Sequence, residues 1–459
     1  MSNLKNSWQR IDGWRSVWGR TNSRRITWQR FVWRRTSSRR ITWQRFACLR
    51  SVSAKPELSS KTVLAPCLLC TLLLANQALY GESFGVSYLP GDKFRITEKA
   101  DLRRYENGRF IGLAYREVRG VLDVMAGNEE GGARRIKGDF YVFEETKHKS
   151  INVARRIDQV VAVNFLIKGN GQYVVAENQG YPSLRSFPVF PAKEVAQGEK
   201  WQDFGERVVE PFRDGRFTRV RFYCDYKYSG TEIIEGSEYI VLKAQYAMRY
   251  KPGQDPYGDE RIRGISGKHL VTIYFDPYLQ RPHFMRDQMD EIYQLAGGGT
   301  IAYKGFILTW FDNIVTMDRS HLVEDVREQL KESGVEDISV EEKKEGVALT
   351  LNRIHFVADQ AVVLPREKER LKSVARALKK IESRSFLVVG HTARIGSAQS
   401  QLTLSVERAK AIVDYLVSQG LEAERFLYEG RGGSEPVAAN DIEENMAKNR
   451  RVEIIILED

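Results

Sequence analysis

The chain reads as an α+β multidomain protein, with a β-rich middle region followed by a small α/β domain whose helices pack on a mixed sheet. Three observations carry this reading. At 459 residues the chain is longer than one hydrophobic core usually serves. From Glu82 to about Phe311, aromatic and β-branched residues come in short runs broken by Gly, Asn and Pro, the pattern of strands and tight turns. From about residue 348 the period changes, and candidate strands alternate with helical stretches.

The formal net charge of +11 is unevenly spread. Up to Lys61 there are fifteen Lys and Arg against two acids, whereas the remainder holds 56 bases and 58 acids. The body is therefore not basic, and no nucleic-acid partner is expected for it. Residues 1–61 carry six of the eight tryptophans and a near-identical repeat, Trp18 to Phe31 and Trp33 to Phe46. Arg interleaved with Trp is a composition that could neutralise phosphates and stack on bases or meet anionic lipid. The favoured reading is a short duplication translated upstream of the true start, near Val52 or Leu58. Residues 62–81 support it, because Thr62 to Ala75 is an uncharged apolar run of signal-peptide length. Cleavage is expected between Ala75 and Gly81, with lipidation at Cys70 or an uncleaved anchor as the alternatives. Cys48, Cys67 and Cys70 precede the body, so Cys224 alone lies within it and no internal disulfide framework is available.

In the middle region, 82–315, Val160 to Ile167 and Gln172 to Ala176 flank Gly169-Asn170-Gly171, which reads as a hairpin whose glycines supply positive φ. Thr218, Val220, Phe222, Cys224, Tyr226 and Tyr228 alternate with Arg219, Arg221, Tyr223, Asp225 and Lys227, giving one buried and one wet face. Further strands are expected at Tyr239 to Tyr250, His269 to Phe275 and Ile301 to Phe311. The region is either one curved sheet or two β-domains dividing near residue 205, with a filled core. Charges on the polar faces argue against a transmembrane barrel. An envelope protein or a lipid is the partner class expected here.

No catalytic spacing emerges. The six histidines include no pair three or four residues apart, so the helical metal motif is missing. There is no Gly-x-Ser-x-Gly elbow and no phosphate-binding Gly-rich loop. The expectation is a non-enzymatic protein without metal or cofactor.

Residues 316–347 read as a helical and hairpin connector, with an amphipathic stretch from Asp318 to Glu332. In 348–459, Ala348 to Phe356 is a strand candidate, and Leu371, Val374, Ala375, Leu378 and Ile381 recur at helical spacing on one face. Ser385 to Val389 is a buried strand. Ala409, Ile412, Val413 and Leu416 mark a second helix, stopped by Gly420. Phe426 to Glu429 and Arg451 to Leu457 complete the sheet.

The motifs Phe356-Val-Ala-Asp-Gln-Ala-Val-Val-Leu-Pro365, Val389-Gly-His-Thr392, Gly396-Ser397, Leu404-Ser-Val-Glu-Arg-Ala409, Gly430-Arg-Gly432, Glu435-Pro436 and Asn449-Arg-Arg-Val-Glu-Ile454 stand in order across this domain. In order and spacing they resemble the OmpA-like peptidoglycan-binding family. The resemblance covers about a quarter of the chain. It implies a periplasmic, outer-membrane-associated protein whose domain grips the diaminopimelate of the peptide stem, or ornithine in some spirochaetes.

That amino acid carries a carboxylate and an ammonium, so its pocket needs a cation and an anion at fixed separation. The resemblance implies that Arg408 forks onto the carboxylate, with Thr392, Gln401, Arg450 and the acidic Asp359 around the pocket. The family's Asp, directly after Gly-His-Thr, holds the ammonium; here that position is Ala393. Gln401 stands where the family usually has Asn, and Arg394 places a positive charge beside the missing acid. Wall binding is therefore expected to be weak or lost, with a scaffold or partner-binding role favoured. The alternative is a functional tether to peptidoglycan.

Overall fold

A computed structural model describes residues 81–458, apart from 128–131, 146–153, 177–178, 333, 335–336, 353, 357–359 and 382–383. The expectations for the Arg/Trp-rich segment and for the apolar run up to residue 80 lie outside the described residues. The strands in chain order are β1 (Lys93–Glu106), β2 (Arg109–Val124), β3 (Arg134–Glu145), β4 (Arg155–Arg156), β5 (Gln159–Ile167), β6 (Tyr173–Val175), β7 (Leu184–Arg185), β8 (Lys200–Val209), β9 (Thr218–Ile234), β10 (Ser237–Tyr250), β11 (Ile262–Asp276), β12 (Arg281–Leu295) and β13 (Thr300–Asn313). They are followed by helix α1 (Arg319–Glu332), β14 (Ile338–Lys343), β15 (Gly346–Leu351), helix α2 (Pro365–Lys379), β16 (Phe386–His391), helix α3 (Ala398–Ser418), β17 (Phe426–Gly432), helix α4 (Glu443–Asn449) and β18 (Val452–Leu457).

Of the two arrangements open for the middle region, the structure has the single curved sheet. Twelve strands run β6-β5-β3-β2-β1-β13-β12-β11-β10-β9-β8-β7, and residue 205 lies inside β8, paired with Phe222 of β9. The two ends of the sheet approach each other. The Tyr173 N–H donates to Ser186 Oγ at 3.0 Å, and the Phe190 N–H to the Asn170 carbonyl at 2.9 Å. The sheet is thereby curled almost into a barrel. Gly171 makes this closure sterically feasible, because a Cβ there would sit 2.2 Å from the Pro188 carbonyl oxygen, and its φ is +89°.

The alternation expected in β9 is present: Thr218, Val220, Phe222, Cys224, Tyr226 and Tyr228 are buried, while Arg221, Tyr223, Asp225 and Lys227 are exposed. Buried rings fill the interior, with Phe222 stacked on Tyr246 at 3.8 Å between centroids and Trp201 on Tyr226 at 5.3 Å. An ionic cluster sits in this apolar interior. Arg207 Nε donates to Glu291 Oε1 at 2.7 Å, the Tyr293 hydroxyl bonds the same carboxylate, and His269 Nε2 lies 3.2 Å from it. His269 Nδ1 is 2.8 Å from Asp287 Oδ2, and the Tyr246 ring stacks on the imidazole at 4.3 Å.

The second sheet runs β14-β15-β18-β16-β17-β4 and is mixed, with β16–β17 and β17–β4 parallel. Its two faces separate by residue parity. Val347, Leu349, Leu351, Phe386, Val388, Phe426, Ile454 and Ile456 pack against the helices, where Leu371, Val374, Leu378, Ala409, Ile412, Val413 and Leu416 line the facing stripes. The first strand, expected to reach Phe356, stops at Leu351. The opposite face, Ala348, Leu387, Val389, Leu427 and Ile455, is buried against Phe143 and Ile157 from the β-rich region.

That docking extends to the backbone and to charges. Arg155 and Arg156 add as a short edge strand beside Leu427 and Tyr428, and the Ile157 N–H donates to the Tyr428 carbonyl at 2.9 Å. Glu458, 6% exposed, accepts from Lys93 Nζ at 2.6 Å and from the Met317 N–H at 2.7 Å, and also pairs with Arg319. No helix among the described residues is long and apolar enough to cross a membrane.

Candidate functional site

The candidate pocket lies where β16 gives way to the loop before α3. Gly390, near the end of β16, allows the helix to lie close to the sheet, because a Cβ there would come 2.1 Å from the Ser405 carbonyl oxygen. Ser397 caps α3 by accepting from the Ser400 N–H at 3.1 Å. Positions 401, 405 and 408 then fall on one side of the helix at i, i+4 and i+7. Ser405 Oγ accepts from the Gly432 N–H at 3.0 Å, fixing the end of β17 against this side.

The structure gathers several of the sequence-predicted residues around the start of α3. The Thr392 N–H donates to the Gly432 carbonyl at 2.9 Å, and its hydroxyl is buried without a hydrogen-bond partner among the described residues. Gln401 Nε2 donates to the Gly396 carbonyl at 3.0 Å. Arg394 is held by its backbone N–H on Asn440 Oδ1 at 2.9 Å and by its Nε on the Gly433 carbonyl at 2.8 Å. Ala393 is buried between these residues at 4% exposure, so a methyl occupies the position. Among the described residues, no hydrogen bond that holds residues 392–397 comes from a carboxylate.

Arg408, further along the same side of the helix, stacks over the Phe356 ring at 4.9 Å, with Nε 3.5 Å from the Gln360 carbonyl. Asp359 lies outside the described residues. Arg450 is placed differently. It follows α4 and pairs with Glu443. Arg451 is buried and donates to Glu453 Oε1 at 2.9 Å and to the Glu435 carbonyl at 3.1 Å. His391 is buried beneath the loop, and burial together with the Arg451 charge pushes its pKa down to about 3, so the ring is neutral at physiological pH.

Sequence reasoning assigned no role to Asn449, which is fully buried. Its Oδ1 accepts from the Val437 and Ala438 N–H groups at 2.8 and 2.9 Å, and its Nδ2 donates to the Ala438 carbonyl at 2.9 Å. This one amide shapes the loop that supplies Asn440 to Arg394. The available signal was its place at the head of the Asn449-Arg-Arg block. No group of three His, Cys, Asp or Glu side chains suited to a metal ion occurs among the described residues.

Residues 355–450 match the model of the OmpA family. The peptidoglycan-binding protein ArfA of Mycobacterium tuberculosis is 38% identical over 109 residues, which are 24% of this chain and 33% of that protein. Outer membrane protein A of Bordetella avium is 36% identical over 102 residues, 22% of this chain and 53% of that protein. The match thus spans between a third and about half of these relatives' length. Among solved structures, the cell wall anchor of the T6SS from Pseudomonas aeruginosa is 30% identical and is covered completely by 31% of this chain, with a TM-score of 0.27. The mixed sheet with helices on one face, the loop built around Thr392 to Ser397 and the family match together make the carboxy-terminal quarter of this chain an OmpA-family domain.

Proposed function

We propose that this is a non-enzymatic, periplasmic and outer-membrane-associated protein whose OmpA-family domain faces the cell wall with a weakened grip. The domain's pocket receives the carboxylate of a peptidoglycan stem at Arg408, and the β-rich region takes an envelope protein or lipid partner. One observation carries the reading: the position beside Thr392 holds the buried methyl of Ala393, and the guanidinium of Arg394 is tied down next to it. A stem amino acid that offers both a carboxylate and an ammonium then meets, among the described residues at this loop, the Arg394 guanidinium and no carboxylate hydrogen-bonded to residues 392–397. A lost charge-assisted hydrogen bond is worth roughly 1.5–3 kcal/mol, or about tenfold to somewhat more than a hundredfold in affinity. The peptidoglycan-binding name of the ArfA relative supports the ligand class.

Sedimentation with purified peptidoglycan tests this. The natural protein binds weakly, Ala393→Asp binds at least about tenfold more tightly, and Arg408→Ala abolishes what remains. The rival reading, a working tether, draws on the stacking of Arg408 over Phe356, which fixes where the guanidinium lies. Tight binding by the natural protein, unaffected by Ala393→Asp and lost in Arg408→Ala, establishes the tether instead.

A further inference from the structure

Two neighbouring hairpins end side by side at one end of the curled sheet, and both tips carry exposed apolar residues. β9 and β10 are joined through Glu235 and Gly236, whose φ values of 52° and 86° give the tight turn that matches strand twist. Just before the turn, Ile233 is 77% exposed and Ile234 38%. The β11–β12 tip presents Tyr278 at 83% and Leu279 at 43%, and is fixed by Asp276 Oδ1, which accepts from both their N–H groups at 2.8 and 2.9 Å. Ser237 pairs with Ile234, and continuing the Ile240–Phe275 register sets Ser237 level with Tyr278. Leu89, 62% exposed, joins them through the Ser87 N–H, which donates to the Gln280 carbonyl at 2.9 Å.

The chain also enters the fold at this end. Residues 82–87 cross it, tied by Glu82 to Val195 and by the Val86 N–H to the Gly169 carbonyl at 2.7 Å. In sequence, the apolar run Thr62 to Ala75, which the lipidated or uncleaved alternative keeps wholly or in part on the chain, comes shortly before Gly81. We propose that this end of the β-rich region rests on a lipid bilayer, with Ile233, Ile234, Tyr278, Leu279 and Leu89 in the interfacial layer. This rests on the reading that the β-rich region is the partner-binding part, and it names the partner's class. Projecting tips of tyrosine and aliphatic residues suit a bilayer interface, which needs no complementary groove. The exposed Glu232, Glu235 and Glu238 beside the β9–β10 turn select headgroups without net negative charge.

Hydrogen–deuterium exchange of the full chain, alone and with phosphatidylcholine vesicles, tests this without reference to peptidoglycan. Exchange slows by about tenfold or more at 231–238 and 276–281, the scale set by burying one apolar side chain. The β1–β2 tip at the opposite end, with Phe110 and Ile111 each 52% exposed, is the internal control and does not change. Ile233→Asp combined with Tyr278→Ser removes the slowing at both tips even where the amino-terminal segment keeps the chain on the vesicle, and phosphatidylglycerol vesicles give less slowing. Unchanged exchange at both tips, slowing at the control tip instead, full protection in the double variant or equal protection on phosphatidylglycerol would each overturn the proposal. Loss of wall binding with intact tip protection counts against the wall reading alone.

Discussion

Replacing Glu291 by Gln probes the ionic cluster inside the curled sheet with almost no change of shape. Glu291 is 2% exposed and Arg207 8%, and their 2.7 Å contact lies among packed rings. The amide still accepts one hydrogen bond, so what is lost is the charge that compensates Arg207. Breaking one side of a buried pair costs about 3–5 kcal/mol, because the other charge stays behind. At roughly 2–4 °C per kcal/mol for a region of this size, the melting temperature falls by about 6–20 °C. Replacing both partners with apolar residues, Arg207→Met and Glu291→Leu together, costs far less than either single change.

The pH dependence follows from the same contacts. Burial alone would raise the Glu291 pKa, but the Arg207 charge and the His269 contact hold it at about 2. Its contribution is therefore present above about 4.5 and is lost as the pH falls towards 2. Burial would lower the His269 pKa, but the contacts with Asp287 and Glu291 raise it. That contribution is complete below about 6.5 and disappears as the pH rises through the folded value. In Glu291→Gln the imidazolium has one anion fewer, so the alkaline loss begins at lower pH. Urea unfolding across pH 3–9, followed by near-ultraviolet circular dichroism, reads both effects. A Glu291→Gln unfolding free energy within about 0.5 kcal/mol of that of the natural protein at pH 7 would refute the reasoning.

Three further outcomes are expected. Asn449→Ala removes three hydrogen bonds from the loop at Val437 and Ala438, costing about 2–4 kcal/mol in urea unfolding and speeding amide exchange at those two residues. Gly390→Ala drives a methyl into the Ser405 carbonyl, so α3 must shift, at about 1–3 kcal/mol in the same assay. Glu458→Gln weakens the docking of the two sheets. Burial alone would raise the Glu458 carboxyl, but Lys93, the Met317 N–H and Arg319 hold it at about 2, so its contribution is lost as the pH falls from about 4.5 towards 2. Limited proteolysis over that range shows a sensitivity rising with acidity in the natural protein and already high, with little pH dependence, in the variant.

The elements that sequence reasoning found are those whose pattern is local. The β9 alternation survives because every second side chain from Thr218 to Tyr228 enters one interior. The stripe from Leu371 to Leu378 and the stop at Gly420, whose φ is 91°, lie within a few residues of the features that dictate them. β4 left no trace, since Arg155 and Arg156 carry no period and their partner Leu427 is remote in the chain. The continuous apolar run Phe386 to Val389 announced a strand covered on both sides, but what covers Leu387 and Val389 comes from Phe143 and Ile157. The surroundings of His269 were illegible for a similar reason. Its acids, Asp287 and Glu291, stand on the next strand, so spacing along the chain does not announce the contact. In the candidate pocket, Thr392, Ala393 and Gln401 could be singled out residue by residue, whereas the tie of Asn449 to the loop is a contact between elements and needed the fold.

The match to the OmpA family ends before the last strand and begins after β15, so of the six strands in the second sheet it contains only β16 and β17. The stretch matched by the family model and the folded sheet therefore differ in extent here. A fragment trimmed to residues 355–450 would lose the strand that separates its sheet from β15, and would turn Leu387, Val389 and Leu427 towards solvent. Such a piece would stick to itself or to a chaperone. Any study of the OmpA-family module in isolation has to carry its neighbour with it.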